Sequence, residues 1–112
     1  MIVMNIIDGI ELVKIQYPKK PIKLLEKIVE FAKILYQKFN LVHADLTEYN
    51  ILYDIRKDSI TIIDFPQAVP ADHPESVNLL RRDFTHLLDF FGKKWSITTD
   101  EIETVVNYII EQ

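Results

Sequence analysis

Three residues with oxygen-bearing side chains follow one another at spacings that suit chemistry on a phosphate. Asp45 and Asn50 lie in one polar segment, and Asp64 follows fourteen residues after Asn50 at the end of an apolar run. Phosphoryl transfer needs a carboxylate to orient the attacking oxygen and hard oxygen ligands to hold Mg²⁺ against the phosphates. Position and charge stabilise most of its transition state. The three side chains together supply these groups.

Each of these residues also has a structural interpretation. Asp and Asn are common turn formers, and taken singly each of the three is better explained by a turn or a strand end. The joint spacing reverses that balance. Residues 43–50 match the catalytic-loop pattern H-x-D-L-x-x-x-N of kinases, and Asp64 matches their downstream metal-binding aspartate. The neighbouring residues predict the strands that this motif requires.

Short apolar segments predict the strands that position these residues. Residues 51–53 and 60–63 are typical of two short strands, and the polar residues 54–59 between them predict an antiparallel hairpin. The opening residues 2–7 predict a buried strand that runs into a turn at 8–9. The hairpin would place the candidate catalytic and metal-binding segments next to each other.

Apolar residues at three- and four-residue spacing predict three helices. The first begins near Pro21, and its apolar face consists of Leu24, Ile28, Phe31, Leu35 and Phe39. The second opens at 72–75, where a capping-box-like spacing includes a proline, and ends at Gly92. The third opens with a capping box of Thr98 and Glu101 and continues nearly to the end of the chain.

Composition narrows the class of protein. The 112 residues suit one domain, well short of the roughly 250 that two packed kinase lobes need. A net charge of −4 argues against a broad nucleic-acid footprint. The absence of cysteine excludes disulfides and thiolate metal sites, which suits a cytoplasmic protein. No apolar run approaches 18 residues, so no membrane association is expected.

Residues 41–91 resemble the RIO family of atypical serine/threonine protein kinases. Residues 43–53 are similar to the catalytic loop of its Rio1 branch, and residues 63–67 are similar to the metal-binding loop of its Rio2 branch. The Rio1 branch is favoured by three further segments, namely 72–74, 80–83 and 89–91.

This resemblance implies an α+β fold like the C-terminal lobe of protein kinases. The lobe would be mainly helical, with a short antiparallel β-hairpin carrying the catalytic and metal loops. Residues 1–112 would form this lobe and residues 1–9 its hinge strand. The N-terminal lobe, which in RIO kinases carries the phosphate-covering loop and a phosphate-pairing lysine, is expected to be absent from the chain.

The resemblance also assigns the three central residues. Asp45 would be the catalytic aspartate, while Asn50 and Asp64 would be ligands of Mg²⁺ or Mn²⁺ on ATP. Thr47 stands where Ser/Thr kinases usually carry a lysine, and Pro66 replaces the glycine of D-F-G. Classical activation switching is therefore not expected.

Five further residues receive roles from the same resemblance. Met4, at the gatekeeper position, Ile7 and Leu52 would contact the nucleotide, and His43 and Asp83 would support the catalytic loop. Leu52 could equally be ordinary core, since buried strands are rich in leucine. Asp83 could instead be a solvated helix charge, because aspartate is rarely buried.

The implied function is that of a RIO-type kinase or ATPase that transfers a phosphoryl group from Mg-ATP. The family is associated with maturation of the small ribosomal subunit, so the pre-ribosomal subunit is a candidate partner beside ATP. The chain alone would be an incomplete catalytic unit that needs the missing lobe or self-associates through an exposed apolar face near Met4, Ile6 and Leu52.

Two alternatives stay open at the level of the sequence. One is a small-molecule phosphotransferase of the aminoglycoside or choline kinase type, which shares the H-x-D-x-x-x-x-N loop. The other is a noncatalytic assembly module that keeps the lobe fold.

Overall fold

The computed structural model of the protein describes residues 9–16, 18 and 20–111. Within these residues the chain forms five short strands and three α-helices, with one 3₁₀ turn at Leu12–Lys14. The strands are β1 (Ile10–Glu11), β2 (Leu41–Val42), β3 (Ile51–Asp54), β4 (Ser59–Ile62) and β5 (Val69–Pro70). The helices are α1 (Pro21–Phe39), α2 (Ser76–Trp95) and α3 (Ile102–Ile110).

The strands form two small antiparallel sheets. The order β1-β3-β4 gives a three-stranded sheet, in which Ile51 pairs with Ile62 across the hairpin. Strands β2 and β5 form a second sheet, with Val42 opposite Val69. The predicted hairpin is confirmed, and the fold is α+β as expected. The predicted opening strand at 2–7 lies outside the described residues.

Helix α1 begins where the sequence predicts, with Pro21 in its first turn, and it ends at Phe39, before Asn40 in the left-handed conformation. The prediction that Phe39 faces the core is wrong, because its side chain is 64% exposed. Gln37 already donates to the carbonyls of Ile109 and Glu111, at the end of α3. The end of α3 is thus reached at Gln37, and Phe39 lies beyond the part of α1 that α3 covers.

Helix α2 differs from its prediction at both ends. It starts at Ser76, and Glu75 precedes it without a side-chain cap. The proposed end at Gly92 is also wrong, since the helix continues to Trp95. A helical glycine costs only about 1 kcal/mol. Trp95 packs edge-on against Phe91, with ring centroids 5.0 Å apart, and this contact stabilises the additional helical residues after Gly92.

Helix α3 lacks the predicted capping box of Thr98 and Glu101. Glu101 occupies the N-cap position in an extended conformation, without a side-chain cap, and the helix starts one residue later. Its position is set by packing, because Val105, Val106 and Ile109 are buried between α1 and α2. Tertiary burial therefore outweighs the local capping signal.

The hydrophobic core lies where the three helices meet the inner face of β3. Its fully buried side chains include Leu12, Ile28, Ile51, Phe84, Leu87, Phe91 and Ile109. None of the helices in the described part of the chain is long and apolar enough to cross a membrane.

Tyr53 of β3 gives a test of this packing. Burial, followed by the hydrogen bond to Asp58 at 2.7 Å, raises the pKa of Tyr53 from 10.0 to about 12. The unfolded chain thus releases the phenolic proton at lower pH than the folded chain, so the free energy of unfolding falls as pH rises from 10 towards 12. We expect Tyr53→Phe to remove this part of the pH slope in urea denaturation. An equal slope in both proteins would contradict the buried phenol.

Candidate active site

The catalytic loop, residues 43–50, connects β2 to β3 and is held by the buried ring of His43. The ring Nδ1 accepts a hydrogen bond from the Asp45 amide at 3.2 Å. Because Nδ1 accepts, the ring proton lies on Nε2, which donates to the carbonyl of Ile63 at 3.0 Å. His43 therefore joins the catalytic loop to the segment that leads into Asp64.

Both peptide groups of Asp45 are fixed by side chains. Its amide binds the ring of His43, and its carbonyl accepts a hydrogen bond from Nδ2 of Asn50 at 2.7 Å. The Asn50 amide in turn donates to the carbonyl of Thr47 at 3.0 Å. Ala44 adopts a left-handed φ of 71°, a conformation that is costly for a residue with a Cβ. The loop backbone is therefore constrained around a partly exposed Asp45 carboxylate.

The hairpin brings Asn50 and Asp64 to the same end of the sheet. The amide of Ile63 donates to the carbonyl of Asn50 at 2.9 Å, and Asp64 follows directly. Asp64 has a left-handed φ of 66°, so the chain turns away from the strand direction at this residue. The backbone thus places the two candidate metal ligands beside each other, as the hairpin predicts.

The donor atoms at this end fit a hard cation. Nδ2 of Asn50 is used inside the loop, which leaves its Oδ1 as the atom available to a metal, and Asp64 is exposed. Among the described residues, no group of three or more His, Cys, Asp or Glu is arranged to hold a metal ion. A site here would therefore use few protein ligands, as is usual for Mg²⁺ that also binds phosphates and water.

Phe65, next to Asp64, packs against the same histidine that holds the catalytic loop. Its ring centroid lies 4.6 Å from that of His43 and 6.4 Å from that of Phe31 on α1. These distances are typical of aromatic pairs in contact. The segment after β4, the metal loop at residues 63–67, is thus attached to the catalytic loop by a hydrogen bond and by ring packing.

Helix α2 holds the start of the catalytic loop. Asp83 is only 5% exposed, so the alternative of a solvated helix charge is wrong. Burial raises the pKa of the Asp83 carboxyl, whereas the Leu46 amide and then the Arg82 guanidinium lower it. The neighbouring Arg82 is exposed, and its Nη2 donates to the carbonyl of Ala44. Arg82 lies next to Asp83 in the sequence, but this position does not indicate which group Arg82 contacts. The hydrogen bond to Ala44 therefore could not be predicted from the sequence.

A second pair of residues joins the loop to α2 without a prediction from the sequence. Glu48 is buried, and its Oε1 lies 2.5 Å from Nε2 of His86. A buried carboxylate needs a polar or charged partner, so a glutamate in this loop indicates that such a partner exists. The identity of that partner depends on how α2 packs, because the two residues lie 38 positions apart.

The candidate nucleotide-binding residues are only partly described. Leu52 is half-buried in β3, opposite Thr61 of β4 and Glu11 of β1. Met4 and Ile7 lie outside the described residues, and so does Ile6 of the predicted apolar face. The nucleotide contacts of Met4, Ile7 and Leu52 therefore stay predictions.

The pKa of Asp83 predicts how stability responds to pH. A raised folded-state pKa means that the folded chain binds the proton more tightly than the unfolded chain. The free energy of unfolding therefore falls as pH rises from the ordinary value of 3.8 through the raised pKa. We expect Asp83→Asn to gain stability relative to the unmodified chain over this interval, measured by urea denaturation at several pH values. A difference between the two proteins that is constant with pH would contradict a raised pKa.

An α+β fold whose candidate catalytic and metal loops are joined through one histidine is that of a kinase-like protein. The model of the RIO domain matches residues 1–104 of the chain. The chain therefore belongs to the RIO domain family, as its motifs predicted.

Relatives from both branches of the family are similar to this chain. The serine/threonine-protein kinase rio1 of Dictyostelium discoideum is 41% identical over 74% of this chain and 14% of its own length. The RIO-type serine/threonine-protein kinase Rio2 of Methanocaldococcus jannaschii is 40% identical over 83% of this chain and 34% of its own length.

Solved structures agree with the family assignment. The crystal structure of the Rio2 kinase from Chaetomium thermophilum matches 93% of this chain and 35% of its own, with a TM-score of 0.75 at 26% identity. A second Rio2 structure from that organism, an ADP/Mg²⁺-phosphoaspartate complex, matches 97% of this chain and 36% of its own, with a TM-score of 0.68 at 24% identity. The chain thus spans between 14% and 36% of the length of these relatives.

Proposed function

We propose that this chain forms the C-terminal lobe of a RIO-type serine/threonine kinase or ATPase that transfers a phosphoryl group from Mg-ATP. One observation carries the proposal: His43 holds the amide of Asp45 through one ring nitrogen and the carbonyl before Asp64 through the other. A single side chain thus sets the relative position of the candidate catalytic aspartate and a candidate metal ligand. Phosphoryl transfer depends on this kind of positioning.

Each residue has a distinct part in the proposed reaction. Asp45 orients the attacking oxygen and accepts its proton, while its backbone is immobilised by His43 and Asn50. Oδ1 of Asn50 and the carboxylate of Asp64 would hold the metal ion, and Leu52 would line the nucleotide site together with Met4 and Ile7. Bound Mg²⁺ would neutralise charge on the phosphates.

The wider role is proposed from the resemblance to the family. We propose that the chain acts in the cytoplasm and in maturation of the small ribosomal subunit, together with an N-terminal lobe that completes the ATP site. The relatives above are named as RIO kinases, which favours this reading over a small-molecule phosphotransferase. A noncatalytic assembly module is the alternative that experiment must separate.

Mn²⁺ with ATP provides a direct test of the site, because Mn²⁺ accepts oxygen ligands like those of Mg²⁺ and broadens the NMR signals of nearby nuclei. We expect broadening at the amides of residues 45–50 and 63–65, and its loss in Asp64→Ala. Asp100→Ala, at an exposed position in the loop before α3, is the matched control and should broaden like the unmodified chain. Uniform broadening, or equal broadening in Asp64→Ala, would support the noncatalytic module.

A further inference from the structure

The carboxylate of Glu48 lies in the catalytic loop, yet the proposed chemistry does not use it. Its side chain is only 11% exposed, and its backbone carbonyl accepts a hydrogen bond from the amide of Val13 at 3.1 Å. Burying an ionised carboxylate is unfavourable unless a partner compensates for the lost water. The nearest described partner is Nε2 of His86, 2.5 Å from Oε1 of Glu48.

His86 belongs to the face of α2 that already holds this loop. It lies four residues, about one helical turn, after Arg82. Arg82 binds the carbonyl of Ala44, and Asp83 interacts with the amide of Leu46. With His86 on Glu48, one face of α2 therefore contacts alternate residues of the loop at 44, 46 and 48.

The last of these contacts lies nearest to the candidate metal ligand. Glu48 is two residues before Asn50, whose side chain must point its Nδ2 at the carbonyl of Asp45 to leave Oδ1 for a metal. Arg82 and Asp83 act at the start of the loop, before or just after Asp45. Only the contact of Glu48 with His86 joins α2 to the second half of the loop among the described side-chain hydrogen bonds.

Other charged groups near this contact are engaged elsewhere. A hollow of about 280 Å³ beside the pair is also lined by Asp89, Lys93 and Lys94. Asp89 pairs with Lys93 at 3.3 Å, and Lys94 donates to the carbonyl of Val13. These groups therefore do not replace His86 as the partner of the Glu48 carboxylate in this arrangement.

We propose that His86 is a positioning residue, which fixes the second half of the catalytic loop, and with it Asn50, by donating a hydrogen bond from Nε2 to the Glu48 carboxylate. The inference rests on the proposed function of this loop in phosphoryl transfer. His86 itself stays 51% exposed and touches no reacting group in the proposed mechanism. Its effect is on geometry, through a buried partner that loses compensation when the imidazole is removed.

Amide hydrogen exchange on the 112-residue chain tests this role without an activity assay. In His86→Ala we expect the amides of Asn50 and Val13 to exchange about tenfold faster, while amides in α3 change by less than about twofold. His86→Gln should return the loop amides to within about threefold of the unmodified chain, because the glutamine amide nitrogen is also a donor. Thr85→Ala, at the neighbouring exposed position, should leave them unchanged.

Three results would overturn the proposal. They are unchanged loop exchange in His86→Ala, equal acceleration throughout the molecule, and failure of His86→Gln to restore the loop. When the chain is combined with an N-terminal lobe, we further expect His86→Ala to lower kcat about tenfold with the KM for ATP nearly unchanged. If the unmodified combination shows no turnover, the proposed function fails, and the exchange result still decides whether His86 fixes the loop.

Discussion

Replacing Asp45 by asparagine should lower ATP turnover by about 10²- to 10⁴-fold while leaving nucleotide binding nearly intact. In the proposed mechanism the carboxylate orients and deprotonates the attacking oxygen, whereas Asn50 and Asp64 hold the metal ion. Asparagine has almost the same shape, so the backbone contacts of this residue with His43 and Asn50 are expected to persist. The change therefore removes a proton acceptor and leaves the loop in place.

The measurement is phosphate release by the chain mixed with the N-terminal lobe of a RIO kinase, supplied as a separate polypeptide. The chain by itself is expected to turn over ATP negligibly, since positioning accounts for about 7 to 11 kcal/mol of such barriers and the N-terminal lobe is proposed to supply part of it. Asp100→Asn serves as the charge-matched control, because this residue is exposed and far along the chain from both loops. Robust Asp45-dependent turnover by the isolated chain would show that the site is complete without a second lobe.

The largest expected effect on stability comes from Phe84 of α2. Its side chain is fully buried in the core, one residue after Asp83, which anchors the catalytic loop. Truncation to alanine removes apolar burial and leaves a cavity, which typically costs about 3 to 5 kcal/mol. Small domains are stable by only about 5 to 15 kcal/mol, so Phe84→Ala should leave the chain marginally folded.

Urea denaturation followed by circular dichroism measures this loss. Phe39→Ala is the matched control, because the same residue type at the end of α1 is 64% exposed. Surface substitutions of this kind usually change stability by less than about 0.5 kcal/mol. Similar losses in the two variants would contradict the core described here. Comparing the two variants also distinguishes a periodic apolar residue that is buried, Phe84, from one that is exposed at the end of its helix, Phe39.

Local patterns predicted a large part of the fold. The hairpin follows from two short apolar segments on either side of a polar turn, and the start of α1 follows from the proline at its first position. The spacing of Asp45, Asn50 and Asp64 assigned all three residues to phosphoryl transfer. This was possible because they lie on neighbouring strands and loops, whose arrangement depends on local sequence. Family membership followed from the same motif and was confirmed by the match to the RIO domain.

The helix ends could not be predicted as well. Capping boxes were expected before α2 and α3, yet neither helix has a side-chain cap. A cap contributes about 1 kcal/mol, whereas burying several large side chains contributes more. For the same reason α2 continues through Gly92 to reach the packing position of Trp95.

The sequence by itself thus determined the chemical groups of the candidate site and their order along the chain, because motif spacing and strand periodicity are local properties. The family resemblance already indicated Asp83 of α2 as a support of the catalytic loop, but only the tertiary structure showed that Arg82 and His86 also contact it. The contacts of Arg82 with Ala44 and of His86 with Glu48 each join residues 38 positions apart. Such pairs depend on the rotation and height at which α2 packs beneath the loop. That geometry is set by the whole core, and no local pattern encodes it.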